Sequence, residues 1–148
     1  MPSRSARPSD ATSLADRLHS TAIHLLRRLR REDDASGLPA PQLSALSVIV
    51  FGGPLTLGDL ARAEQVRPPT ITKVVAALEA AGLVARDVDP KDRRIVRVKA
   101  TARGGKLLQD GRQRRVAALT SSLGELSSAD RALLSRAVPV LERIVRGP

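Results

Sequence analysis

The segment Asp87–Val98, DVDPKDRRIVRV, restricts the fold of this 148-residue chain more than any other stretch. Most of the remaining apolar residues recur at helical spacings, whereas this segment alternates at its ends. Val88 precedes a turn that holds Asp89, Pro90, Lys91, Asp92, Arg93 and Arg94, and Ile95, Val96 and Val98 follow it. Period-two patterning on both sides of a Pro-containing turn predicts two antiparallel strands, about Leu83–Val88 and Ile95–Lys99. Two strands alone are marginal in water, so helices must cover them. A hairpin that only covers a core does not need a projecting, mostly cationic tip, so an anionic partner has to be considered.

Helical patterns surround the hairpin. The first runs from about Ala11 to Arg31, with Leu14, Leu18, Leu25 and Leu29 at helical spacings. Gly37, Pro39 and Pro41 interrupt it. A second helix, about Pro41 to Phe51, carries Leu43, Leu46 and Val50 on one face and ends at Gly52-Gly53-Pro54. The third opens on Thr56, with Asp59 three residues on as in a capping box, and offers Leu57, Leu60, Ala61 and Ala63 for packing. The fourth covers about Pro68 to Ala81 and stops at Gly82. After the hairpin, a fifth helix runs from a capping Thr101 to Leu123. A sixth starts with a capping serine at about Ser128 and ends near Val145, with Pro139 expected to kink it. Residues 1–10 show no apolar periodicity and read as a disordered arm. The expected architecture is mainly α with a small β-hairpin.

Charge narrows the function. Net charge is +10, and residues 61–115 hold fourteen Lys/Arg against six Asp/Glu, while all other residues hold eleven against nine. Such clustering favours a polyanion, nucleic acid first. An Arg-rich composition explains a preference for Arg over Lys but not its concentration in one block. The chain lacks cysteine, which excludes disulfides, thiolate metal sites and cysteine redox sensing. It shows no long apolar run and no signal-peptide pattern, so a cytoplasmic protein with no membrane partner is expected.

The third and fourth helices with the turn Gln65-Val66-Arg67 form a candidate helix-turn-helix. In the fourth, Ile71, Val74, Val75 and Leu78 fix the buried face. The opposite face is then Pro69, Thr72, Lys73 and Ala76, with Thr70 and Arg67 beside it. This small, polar face suits a helix whose first turns enter a major groove, and a helix N-terminus also favours phosphate. The same pattern fits an ordinary surface helix pair. The hairpin directly after it favours the DNA reading: such a wing lies along the backbone or enters the minor groove, where an inserted Arg meets a strong negative potential. Asp92, two residues from Arg94, can hold a guanidinium in one orientation.

The stretch VRPPTITKVVAALEAAGLVARDVDPKDRRIVRVKATARG resembles the MarR family of bacterial winged-helix transcriptional regulators. The resemblance extends over nearly the whole chain in helix order and length, and its most specific element is the Asp-Pro-x-Asp-Arg-Arg wing followed by a Thr-capped helix. It implies a winged helix-turn-helix domain over 40–100, flanked by dimerisation helices at 11–35 and 101–148, and a homodimer on a pseudo-palindromic operator in double-stranded DNA. Carried over by motif, the recognition helix would contact DNA through Pro69, Thr70, Thr72 and Lys73, with Arg67 alongside. The wing would use Lys91, Arg93 and Arg94, oriented by Asp92. The terminal helices would pair through Leu14, Leu18, Leu133, Leu141 and Ile144. Two departures stand out: VKAT where the family usually has Leu before Thr, and the double proline Pro68-Pro69, which removes polar side chains from the helix start.

The resemblance also permits a small lipophilic or phenolic effector in a cleft between the dimer helices and the winged domain. Phe51 is the only aromatic residue, and His19 and His24 on the first helix could line such a cleft or simply face solvent. With two His and no Cys, no HExxH, phosphate loop or GxSxG elbow is present, so neither an enzyme nor a cofactor is expected. A repressor is the leading reading. A sequence-tolerant architectural DNA-binding protein would share its electrostatics but not its symmetric readout.

Overall fold

A computed structural model describes residues 10–147. The arm read at 1–10 lies outside the described residues except for Asp10, which opens the first helix. The elements are α1 (Asp10–Arg30), a 3-10 turn (Arg31–Ser36), α2 (Ala40–Gly52), β1 (Leu55–Thr56), α3 (Leu57–Glu64), α4 (Pro68–Ala80), β2 (Val84–Val88), β3 (Val96–Ala100), α5 (Ala102–Gly124) and α6 (Ser128–Arg146).

Local chemistry explains most of these boundaries. Thr56 caps α3: its Oγ1 accepts from Asp59 N at 3.1 Å and donates to Asp59 Oδ2 at 2.8 Å. Gln65 ends α3 in the left-handed conformation, at φ 55°, which turns the chain sharply into α4. Thr101 caps α5 and Ser127, one residue earlier than expected, caps α6. The stretch after α1 is not simply broken but winds on as a 3-10 turn closed by Gly37. Pro139 is accommodated inside α6, which continues on both sides of it.

The sheet has three strands in the order β1-β3-β2, all antiparallel. The expected hairpin is present, with Val84 opposite Ala100 and Val88 opposite Val96. Its third strand was not foreseen: Leu55 and Thr56 pair with Val98 and Arg97. Two residues carry no readable period, so only the fold reveals that strand.

Leu46 and Ile49 of α2, Leu60 of α3, Ile71, Val75 and Leu78 of α4, Leu83 just before β2 and Val98 of β3 form one core. Ala63, expected to pack, is exposed, because α3 has room for only one buried stripe through Leu60 and Ala61. The terminal helices behave differently. Neither α1 nor α6 buries a single residue, and α6 scarcely touches the rest of the described chain.

Candidate nucleic-acid interface

α4 places its functional side chains by burying the other face. Ile71, Val75 and Leu78 are in the core, which leaves Pro69, Thr70, Thr72, Lys73 and Ala76 exposed, with Arg67 at the N-cap. The last turn of α4 is tied to the sheet, since Arg86 Nε donates to Glu79 Oε2 at 3.0 Å. One expectation is corrected here. The start of α4 has no spare backbone donor in its first turn for a phosphate. Pro68 and Pro69 lack N–H groups, and Thr70 N and Ile71 N both donate to the Arg67 carbonyl, at 3.0 and 3.2 Å.

The wing tip is built by two carboxylates. Asp89 Oδ1 accepts from Lys91 N at 2.8 Å and Asp92 N at 3.3 Å, while its Oδ2 accepts from Arg97 Nη1 at 2.8 Å. Asp92 then grips Arg94: Oδ1 accepts from Arg94 N and Nε, and Oδ2 from Nη2, each at 3.0 Å. This fork-on-fork pair orients the guanidinium while its side chain stays 90% exposed. Arg93 and Lys91 are exposed beside it.

The titration of these groups follows from the contacts. The Arg94 guanidinium, and then the Arg94 backbone N–H, hold the Asp92 carboxyl below its ordinary range; Asp92 in turn raises Arg94. Arg97 and the Lys91 N–H lower Asp89 in the same way. A carboxyl depressed in the folded state favours folding fully above the ordinary value of 3.8 and loses that contribution as pH falls through the lowered one. The wing clasp is therefore intact at neutral pH.

Asp89 and Arg97 were not singled out in the sequence, though an Asp ahead of Pro-x-Asp is a turn-forming signal. Arg97 stands opposite Asp87 in the ladder yet pairs with Asp89, two residues along, while Lys99 takes Asp87 at 3.3 Å. These diagonal pairs depend on strand register, which spacing alone does not fix. The dimer candidates Leu14, Leu18, Leu133, Leu141 and Ile144 all lie exposed on α1 and α6.

A cavity of about 780 Å³ opens where α1, the 3-10 turn, α2 and α5 meet. Leu26, Leu29, Leu43 and Leu108 supply apolar walls, and Asp33 and Arg115 form an ion pair on its lining. His19 and His24 do not line it; both are exposed on α1. Phe51 is also absent from the lining and is 80% exposed. Among the described residues, no three His, Cys, Asp or Glu side chains come together as a metal site, and no single helix is long and apolar enough to cross a membrane.

The family model described as MarR family matches residues 38–96. An HTH-type transcriptional regulator of Mycobacterium leprae, itself uncharacterised, is 38% identical over 141 residues, covering 95% of this chain and 98% of that protein. A solved structure of a candidate transcriptional regulator from Pseudomonas aeruginosa superposes with a TM-score of 0.78 at 31% identity, over 96% of this chain and 100% of that one. An S. aureus MepR variant solved with a bound oligodeoxyribonucleotide shares the fold, with a TM-score of 0.70 at 18% identity over 86% of this chain and 94% of its own.

Proposed function

Because the chain belongs to the MarR family of DNA-binding transcriptional regulators, and not to a family of enzymes, we propose that it acts as a homodimeric repressor on a pseudo-palindromic operator. α4 enters the major groove with Thr70, Thr72 and Lys73 toward base edges and Arg67 toward the backbone. The wing follows the adjacent minor groove, with Arg94 inserted and Arg93 and Lys91 on phosphate. The observation that carries this reading is the wing tip itself: Asp92 spends a charge to aim Arg94 outward, where nothing in the described chain receives it. The oligonucleotide-bound neighbour has the same fold, which supports the mode of binding.

Residues 40–100 form the DNA-binding unit in this reading, and 11–35 with 101–148 the dimerisation region. Leu14, Leu133 and Ile144 are 58–64% exposed on helices with no buried face. Amphipathic helices that bury nothing within their own subunit need a partner surface, and a second copy supplies the matching one. An interface of roughly 2,000 Å² fits an obligate dimer. Sedimentation should give about twice the 15.8 kDa chain mass at micromolar concentration; a mass of one chain would overturn the dimer.

Two copies set their α4 helices about 34–36 Å apart, or a multiple of that, on one face of the duplex. Occupying a promoter in this way excludes polymerase by volume, which favours repression. The cavity beside the Asp33–Arg115 pair lies between α1, α5 and the winged unit, where a small lipophilic or phenolic effector would release the operator. Footprinting on the promoter of the protein's own operon tests the whole reading. A short protected palindrome that survives excess random DNA supports a regulator, and Arg94→Ala should weaken it about tenfold or more. Featureless coverage that random DNA abolishes supports an architectural protein instead.

A further inference from the structure

Resting on the placement of α4 in the major groove, we infer that its first turn selects A·T pairs by apolar contact with the thymine C5-methyl group. The backbone of this turn has no N–H to offer. Pro68 and Pro69 carry none, and the next two are spent on the Arg67 carbonyl. The Thr72 hydroxyl is spent as well, since its Oγ1 donates to the Pro68 carbonyl at 2.9 Å. Its oxygen keeps a lone pair directed away from that bond, and the side chain is exposed.

What remains toward DNA is therefore an exposed Pro69 ring, the methyl groups of Thr70 and Thr72, the Thr72 acceptor oxygen and the Thr70 hydroxyl. In the major groove, the thymine C5-methyl accepts apolar contact and the adenine N6-amino group donates. An A·T pair is the one pair that offers both, because a G·C pair presents an amino donor on cytosine but no methyl. Guanine carries no methyl group in that groove, so the Pro69 ring and the threonine methyl groups gain nothing from it. Lys73, one position further on and free of any ion pair among the described residues, is the charged donor of this face and suits a neighbouring guanine or phosphate.

Modified DNA tests this without disturbing the protein's fold. The footprinted operator is rebuilt with deoxyuridine for thymine in each half-site in turn, which removes only the C5-methyl and leaves pairing intact. At fixed salt, binding of the wild-type protein should weaken by about fourfold for each methyl that α4 covers. Pro69→Ser, which restores an N–H and removes the ring, should lose the penalty at the methyl that the ring covers and so bind the two DNAs more evenly than the wild-type protein does. The inference is overturned if the wild-type protein protects the operator yet binds its uridine form within about twofold, or if Pro69→Ser keeps the full penalty. If no operator is protected at all, the major-groove placement fails first and takes this inference with it.

Discussion

Operator affinity is expected to fall about a thousandfold as monovalent salt rises from about 50 to about 200 mM. Arg67, Lys73, Lys91 and Arg93 are exposed and make no ion pair among the described residues. By contrast, Arg97 and Lys99 are committed to Asp89 and Asp87 within the sheet, and Arg62 to Asp59 on α3. The free cations are the ones that can displace counterions from phosphates. If three of them in each of two subunits reach the backbone, about six phosphates are neutralised and the log–log slope is about −5. Fluorescence anisotropy over a salt series on the operator duplex measures it. A response flat over that range would show that the basic block does not sit on the DNA.

Gly104→Ala is expected to destabilise the fold by about 3 kcal/mol, lowering the melting temperature by about 10 °C. Gly104 lies in the first turn of α5, where that helix crosses the entry to β2. A methyl group there would fall on the Leu83 carbonyl oxygen and 3.2 Å from Leu46 Cδ1. The carbonyl cannot swing aside cheaply. It accepts from Thr101 N at 3.0 Å, and the Thr101 hydroxyl in turn donates to Gly82 O at 2.7 Å. These bonds seat α5 on the winged unit, so a shift would spread to the wing's own anchor. Gly105→Ala is the control: nothing lies within 4 Å of its added methyl, and an interior helical glycine gains about 0.5–1 kcal/mol on becoming alanine. Thermal melts at matched concentration should separate the two variants in opposite directions. Equal melting points would mean that α5 does not approach β2 this closely.

The exposed and core faces of α4 were legible because a helix with Ile71, Val75 and Leu78 buried has only one other side to show. The Asp92–Arg94 clasp could be anticipated from two residues of spacing, since the partners are neighbours in the chain. Phosphate binding by the α4 N-terminus was a general property wrongly applied: the two prolines that start the helix also remove the donors such binding needs. Ser127, rather than Ser128, became the α6 cap because adjacent serines differ only in backbone conformation, and Ser127 is the extended one whose Oγ accepts from Asp130 N at 3.1 Å.

The sequence by itself determined the order and kind of the helices, the position of the hairpin, the polarity of α4 and the cationic character of the wing. Each of these depends on residues a few positions apart, whose relation is set by helical or strand geometry. Only the tertiary structure decided that Leu55–Thr56 joins the sheet, that Asp89 holds Arg97, that Gly104 passes against the Leu83 carbonyl and that α6 scarcely touches the rest of the described chain. These depend on strand register and on close approach between segments up to dozens of residues apart, which the packing of the whole core sets and no local period records.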